Sequence, residues 1–177
     1  MLTYVWARPG TPSAVDNRRT RPRRRRRRSR ATSRRRRSSG IVNRMTAIRR
    51  LRPEGLVSSP AFSHVAVVPP GATTIYVGGQ NAVDEQGTLV GGGDVAAQAT
   101  RALANARTAL AAAGATLDDV VQWTVLLVDG VDICTAYGAI ARELASQEPP
   151  LVTAALVSGL GVRGALVEIG AIAAVVR

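Results

Sequence analysis

Between Ala165 and Val175 the chain carries one ionisable residue, Glu168, in a run otherwise made of Ala, Val, Leu, Ile and Gly. A carboxylate in such a setting is paired, turned to solvent or put to use, because burying it bare is costly. The other residues of catalytic type are few. His64 is the only histidine, which argues against a Ser-His-Asp relay or a histidine-centred metal site. It reads as a strand-edge residue at the rim of a cleft. Cys134 is the only cysteine, which rules out an internal disulfide and a multi-cysteine metal site, and it is expected to be a small buried hydrophobe. The run Gly91-Gly92-Gly93-Asp94 ahead of a helix offers backbone amides to an anion. It lacks the Walker lysine and the dinucleotide glycine spacing, so it reads as a flexible loop. Trp123 lies in an apolar strand and reads as core; aromatic residues make up only 3% of the chain, too few for a base-stacking surface.

The elements that must position these groups follow from periodicity. His64 to Val68 and Thr74 to Val77 are β-rich and flank Pro69-Pro70-Gly71, which predicts a hairpin. Asp84 to Gly87 predicts a further turn. Asp94 can cap a helix whose inner face is Val95, Ala99, Ala102, Leu103, Ala106 and Leu110, with Gly114 as its stop. Gln98, Arg101, Asn105 and Thr108 fall on the opposite, solvated face. Val120 to Val128 is long, β-branched and apolar, as for a central strand. A second helix is expected from Asp132 to Ala145, closed by Glu148-Pro149-Pro150, and two strands follow near Leu151 to Val157 and Ala165 to Val175. The order β-β-α-β-α-β-β predicts an α+β fold, a mixed sheet with both helices on one face. Val65, Val67, Ile75, Val125, Leu127, Ile169 and Ala171 give more apolar surface than two helices are expected to cover, which predicts oligomerisation.

The overall charge of +12 is a local property. Of 24 basic residues 16 precede Met45, against one of the 12 acids, so residues 1–44 carry about +15 and residues 45–177 about −3. The arginine runs 23–28 and 34–37, with few apolar groups between them, predict a disordered tail. That tail reads as an electrostatic arm for nucleic acid or anionic membrane, as a transit peptide, or as sequence upstream of a true start at Met45. Residues 45–177 are expected to form the single folded domain. No run reaches the roughly 18 apolar residues of a membrane span, and a cytoplasmic location is expected.

Across residues 56–177 the sequence resembles the Rid (YjgF) family. The resemblance rests on Ala61-Phe62-Ser63-His64, Ile75-Tyr76-Val77-Gly78-Gly79-Gln80, Ala97 to Asn105, Ala112 to Val121, and Val167-Glu168-Ile169-Gly170-Ala171-Ile172-Ala173. It implies a chorismate-mutase-like fold assembled as a homotrimer, with small-molecule clefts between subunits. It also implies hydrolysis of reactive imines and enamines, with no cofactor and no metal. In members with that activity a Pro-x-Arg-Ser/Thr segment supplies an arginine for the substrate carboxylate, and a glutamate near the C-terminus places the water. Here the glutamate matches Glu168 and the segment matches Pro150-Leu151-Val152-Thr153, with Val152 in the arginine's place. Phe62, Gly78 and Tyr137 stand where tyrosine, serine and asparagine are usual, and Gly79 and Thr153 complete the expected ligand-binding set. Valine forms no ion pair, so recognition of a free 2-imino carboxylate should be severely weakened. Arg163 lies five residues before Glu168, about 16 Å if extended at roughly 3.3 Å per residue, and Arg101, Arg107 and Arg142 fall on helix faces expected to be solvated.

The reading that results is water addition to a small imine, enamine or related C=N compound lacking the usual carboxylate, with Glu168 as the catalytic group. The alternative is a non-catalytic trimer of the same fold that binds a small molecule. A third reading, an RNA-directed factor, draws on the arginine-rich segment and on the older ribonuclease label in this family; nucleic acid is expected only through that segment.

Overall fold

The computed structural model describes residues 47–177, so the readings of the arginine-rich segment and of Met45 as a start lie outside the described residues. In chain order the elements are β1 (Arg49–Leu51), β2 (Val65–Val67), β3 (Thr73–Gln80), α1 (Val95–Ala112), β4 (Val120–Val128), α2 (Ile133–Leu144), β5 (Leu151–Val157) and β6 (Val167–Val175). A single 3-10 turn, Leu117–Asp119, leads into β4.

The main sheet runs β3-β6-β4-β5. The long strand β6 is antiparallel to both of its neighbours, and β4 and β5 are parallel. The sheet is therefore mixed, as expected, and the parallel pair is joined through α2 in the usual crossover manner. The expected hairpin does not form. Pro69-Pro70-Gly71 does turn, with Gly71 at φ 88° and the Ala72 amide donating to the Pro69 carbonyl at 3.3 Å. The strands on either side then part company: β2 pairs with the short β1, and β3 is taken up by β6 over a longer register. Turn chemistry fixes a reversal of the chain but not the partner of each strand.

α1 begins at its expected cap, Asp94, and α2 begins one residue later than expected, with Asp132 as its cap. The Asp94 carboxylate accepts from the amides of Ala96 and Ala97 at 2.9 and 3.2 Å. α1 closes in a Schellman arrangement: Gly114 at φ 74° donates to Ala111, and Ala115 donates to Leu110. In α2 the Asp132 carboxylate accepts from the Thr135 hydroxyl and the Cys134 amide, and these bonds hold it below the usual carboxylate range. Cys134 itself is exposed rather than buried, because it sits in the first turn of α2 on the side away from α1 and the sheet.

One sheet face and α1 enclose the core. Val77, Trp123, Leu127, Val167, Ile169, Ala171 and Ala173 meet Ala99, Ala102, Leu103, Ala106 and Leu110 of α1, with Ala136 and Ile140 of α2. Trp123 is core, as its strand predicted. Small alanines on α1 let helix and sheet approach closely. Ile75, Val125, Leu127, Ile169 and Ala171 all belong to this covered face, so they are not the surplus apolar surface the sequence suggested. The opposite face carries Tyr76, Thr124, Leu126, Gly170 and Ile172 instead.

Gln98 departs most from expectation. Placed on the solvated face of α1 by spacing, it is fully buried: its amide nitrogen donates to the carbonyls of Gly92 and Gly164, and its oxygen accepts from Leu166 N at 2.8 Å. Arg101 and Asn105 are likewise half-buried, both donating to the Val83 carbonyl, and Asn105 also to Asn81. That side of α1 is a polar clamp on the segment 81–94, and the glycine run read as a flexible loop is held by it.

Candidate functional site

Residues directly opposite one another on neighbouring strands share a face, and successive residues alternate. β6 places Glu168 opposite Leu126 and Gly170 opposite Thr124, on the face without helices. A solvent-open pocket there is lined by Tyr76, Gly78, Gly79, Thr124, Leu126 and Glu168, among others. The strand β3 is irregular here: its register against β6 shifts between Val77 and Gln80. Gly79 lies in that bulge, and the Glu168 side chain is laid directly over it. A Cβ on Gly79 would stand 2.8 Å from Glu168 Cγ and closer still to the carboxyl. The bulge and the missing side chain together make the bed for the carboxylate, a use of strand glycine that admits a close neighbour. Neither of the two side-chain ion pairs among the described residues, Arg50 with Glu148 and Arg107 with Glu143, involves Glu168. Gly79→Ala is therefore expected to leave the fold intact, since φ there is not in the left-handed region, while swinging the Glu168 side chain out of its place. A crystal structure of the variant with the carboxylate unmoved would refute this.

Val152 lies elsewhere. It is opposite Trp123, on the helix-bearing side of β5, and lines a groove with Ile133, Tyr137, Ile140, Val125 and Ala154. The expected site residues thus divide in two. Glu168, Gly78 and Gly79 gather on the open face; Tyr137 and Val152 gather on the helix side, with the sheet between them. Thr153, next to Val152, faces Glu168's side: it is opposite Thr124, and the Gln122 amide reaches its hydroxyl at 3.5 Å. Phe62 lines neither pocket. It stacks edge-on against His64 with ring centroids 5.4 Å apart, and the neighbouring Ser63 amide donates to Pro150, which holds this segment beside the start of β5. His64 Nε2 lies 2.8 Å from the Val57 carbonyl, a structural contact within its own loop.

Of the arginines weighed as substitutes, Arg142 lies in the last turn of α2. Arg101 donates to Val83 and Arg107 pairs with Glu143, both on the helix side, and Arg163 is exposed in the loop before β6. Residues not expected at the site include Tyr76 and Thr124 beside Glu168, and Ala154 in the groove. The two-residue alternation through Thr74, Tyr76 and Gly78 could have brought Tyr76 to notice.

Chemically, the open face offers one carboxylate able to hold a water, with a hydroxyl-bearing threonine and an exposed phenol near it. The groove offers apolar contact. Among curated proteins, no sequence match to this chain is found. Solved structures do match. A protein of unknown function of the conserved Rid family, YyfB from Yersinia pestis, is 31% identical, covers 72% of this chain and 98% of its own, and superposes with a TM-score of 0.63. RidA from an Antarctic Psychrobacter is 29% identical over 70% of this chain and all of its own, with a TM-score of 0.52. E. coli TdcF, solved with bound serine, is 26% identical over 67% of this chain and 94% of its own, with a TM-score of 0.52. The family model described as Endoribonuclease L-PSP matches residues 55–175, and the chain belongs to that family, the Rid/YjgF proteins.

Proposed function

We propose that this protein adds water to a small, uncharged imine, enamine or related C=N compound, as a homotrimer in the cytoplasm, in clefts between subunits. The observation that carries the reading is the Glu168 carboxylate, laid over Gly79 in a solvent-open pocket and outside any ion pair of the described residues. In the reaction Glu168 accepts a proton from a bound water as the water oxygen bonds to the imine carbon. The C=N electrons pass to nitrogen, which takes up that proton from Glu168; the resulting carbinolamine then breaks its C–N bond as its hydroxyl proton is passed, again through Glu168, to the departing nitrogen, giving a carbonyl and an amine. Val152 provides no charge for a carboxylate, so the substrate is one that carries none.

The division of the site residues supports the assembly. Tyr137 and Val152 cannot reach a ligand held by Glu168 through the sheet of their own chain, whereas a neighbouring subunit can present the second set to the first. Tyr76, 77% exposed beside Leu126 and Ile172, and β5, an edge strand exposed along most of its length, are the surfaces such a neighbour would cover. Light scattering should give a mass three times the 18.6 kDa of one chain; a monomer at micromolar concentration would overturn the shared cleft.

Loss of imine followed with and without protein, over amino-acid-derived and uncharged imines, tests the chemistry. Faster loss of the uncharged compounds is expected, and background rates for all of them would remove the hydrolase. Saturable binding without turnover would then favour the second reading, a ligand-binding trimer, which the apolar character of the groove supports. Among the described residues no helix is long and apolar enough to cross a membrane.

A further inference from the structure

The groove on the helix side has its own chemistry. α2 rests chiefly on α1, tied at its outer edge by the Arg107–Glu143 pair, and it leaves an opening above β4 and β5. The opening has room of about 140 Å³, with Trp123, Val125 and Leu127 as its floor and Ile140 and Tyr137 as one wall. None of the described residues lining it is charged. At its mouth Ile133, Tyr137 and Val152 stay 46%, 47% and 44% exposed, so large apolar groups face water around a concave site. An apolar cavity of roughly 150 Å³ stays dry and accepts benzene. Water gains little in this one, because its only polar lining side chains are the phenol of Tyr137 and the indole of Trp123.

We propose that this groove binds the apolar end of the ligand, an aromatic ring or branched aliphatic group of about benzene size. The inference rests on the proposed function for the position of the reacting carbon, at the open-face half of a neighbouring subunit. It does not need turnover for the binding itself. Two side chains decide the specificity. Val152 sets the sign, because its isopropyl group extends the apolar wall where a guanidinium would invert it. Ala154 sets the depth, because its small side chain leaves the floor of β5 open.

The test uses the full chain and two probes of similar shape, toluene and benzoate. Toluene should bind saturably, raise the melting temperature and bind at least tenfold more tightly than benzoate. Ala154→Leu should weaken toluene at least tenfold by filling the groove, with the mass by light scattering unchanged. Val152→Arg should reverse the preference toward benzoate. Equal affinity for the two probes, no toluene binding up to its solubility limit, or unchanged binding in Ala154→Leu would overturn the proposal. Glu168→Gln separates it from the hydrolase: toluene binding should survive this change while imine loss falls to background. Toluene binding without any imine hydrolysis would leave the groove standing and remove the enzyme; hydrolysis without toluene binding would do the reverse.

Discussion

Glu168→Gln should lower the turnover of uncharged imines by about 10²- to 10⁴-fold, the usual contribution of a positioned general base, with little change in KM. The substitution keeps the length and volume of the side chain, so it still fits over Gly79 and still contacts the pocket. It removes only the ability to take a proton from water. Its effect on stability should stay within about 0.5 kcal/mol, because the residue is half-exposed and belongs to no ion pair among the described residues. The comparison of steady-state kinetics with chemical denaturation therefore separates chemistry from folding. A variant as active as the parent would show that the carboxylate does not act on the water.

The second large effect is on stability. Gln98→Ala should cost about 3 kcal/mol or more in urea unfolding, with an unchanged denaturant slope. The amide serves three backbone groups, the carbonyls of Gly92 and Gly164 and the amide of Leu166, and it is completely enclosed. Each buried group left without a partner costs about 1–3 kcal/mol, against a total of about 5–15 kcal/mol for a domain. Gln98→Glu should be worse still: it keeps the acceptor for Leu166 but turns an oxygen toward two carbonyl oxygens. A loss below about 1 kcal/mol would mean that water enters to replace the amide. Because Leu166 directly precedes the strand that carries Glu168, partial loosening here should also reach the open-face pocket.

Gln98 shows where a sequence reading stops. Spacing alone placed the apolar stripe of α1 correctly through Ala99, Ala102, Leu103, Ala106 and Leu110, and the cap Asp94 and the stop Gly114 were recognisable from residue type. A wheel that weighs only apolar side chains puts Gln98 outside, since its partners lie in two loops that approach only once the sheet has formed. The long strands β4, β5 and β6 were legible from composition, whereas β1, three residues of Arg49-Arg50-Leu51, carries no strand pattern. Its Arg50 instead donates to the carbonyls of Asp118 and Val120, contacts fixed by tertiary approach. At the site the residue types could be read, but not their faces. Whether Val152 or Thr153 shares Glu168's side of the sheet depends on the parallel register of β5 on β4 and the antiparallel register of β6 on β4. Neither register is written in any one segment.

The division of the site between two faces of one sheet has a genetic consequence. In the proposed trimer each chain lends its Glu168 half to one cleft and its groove half to another. Two defective alleles, one changed at Glu168 and one at Ala154, then damage different halves. When such chains are co-expressed in equal amounts and assort freely, about a quarter of the clefts receive an intact half from each side. Together the two alleles would form clefts intact on both sides, which neither forms alone.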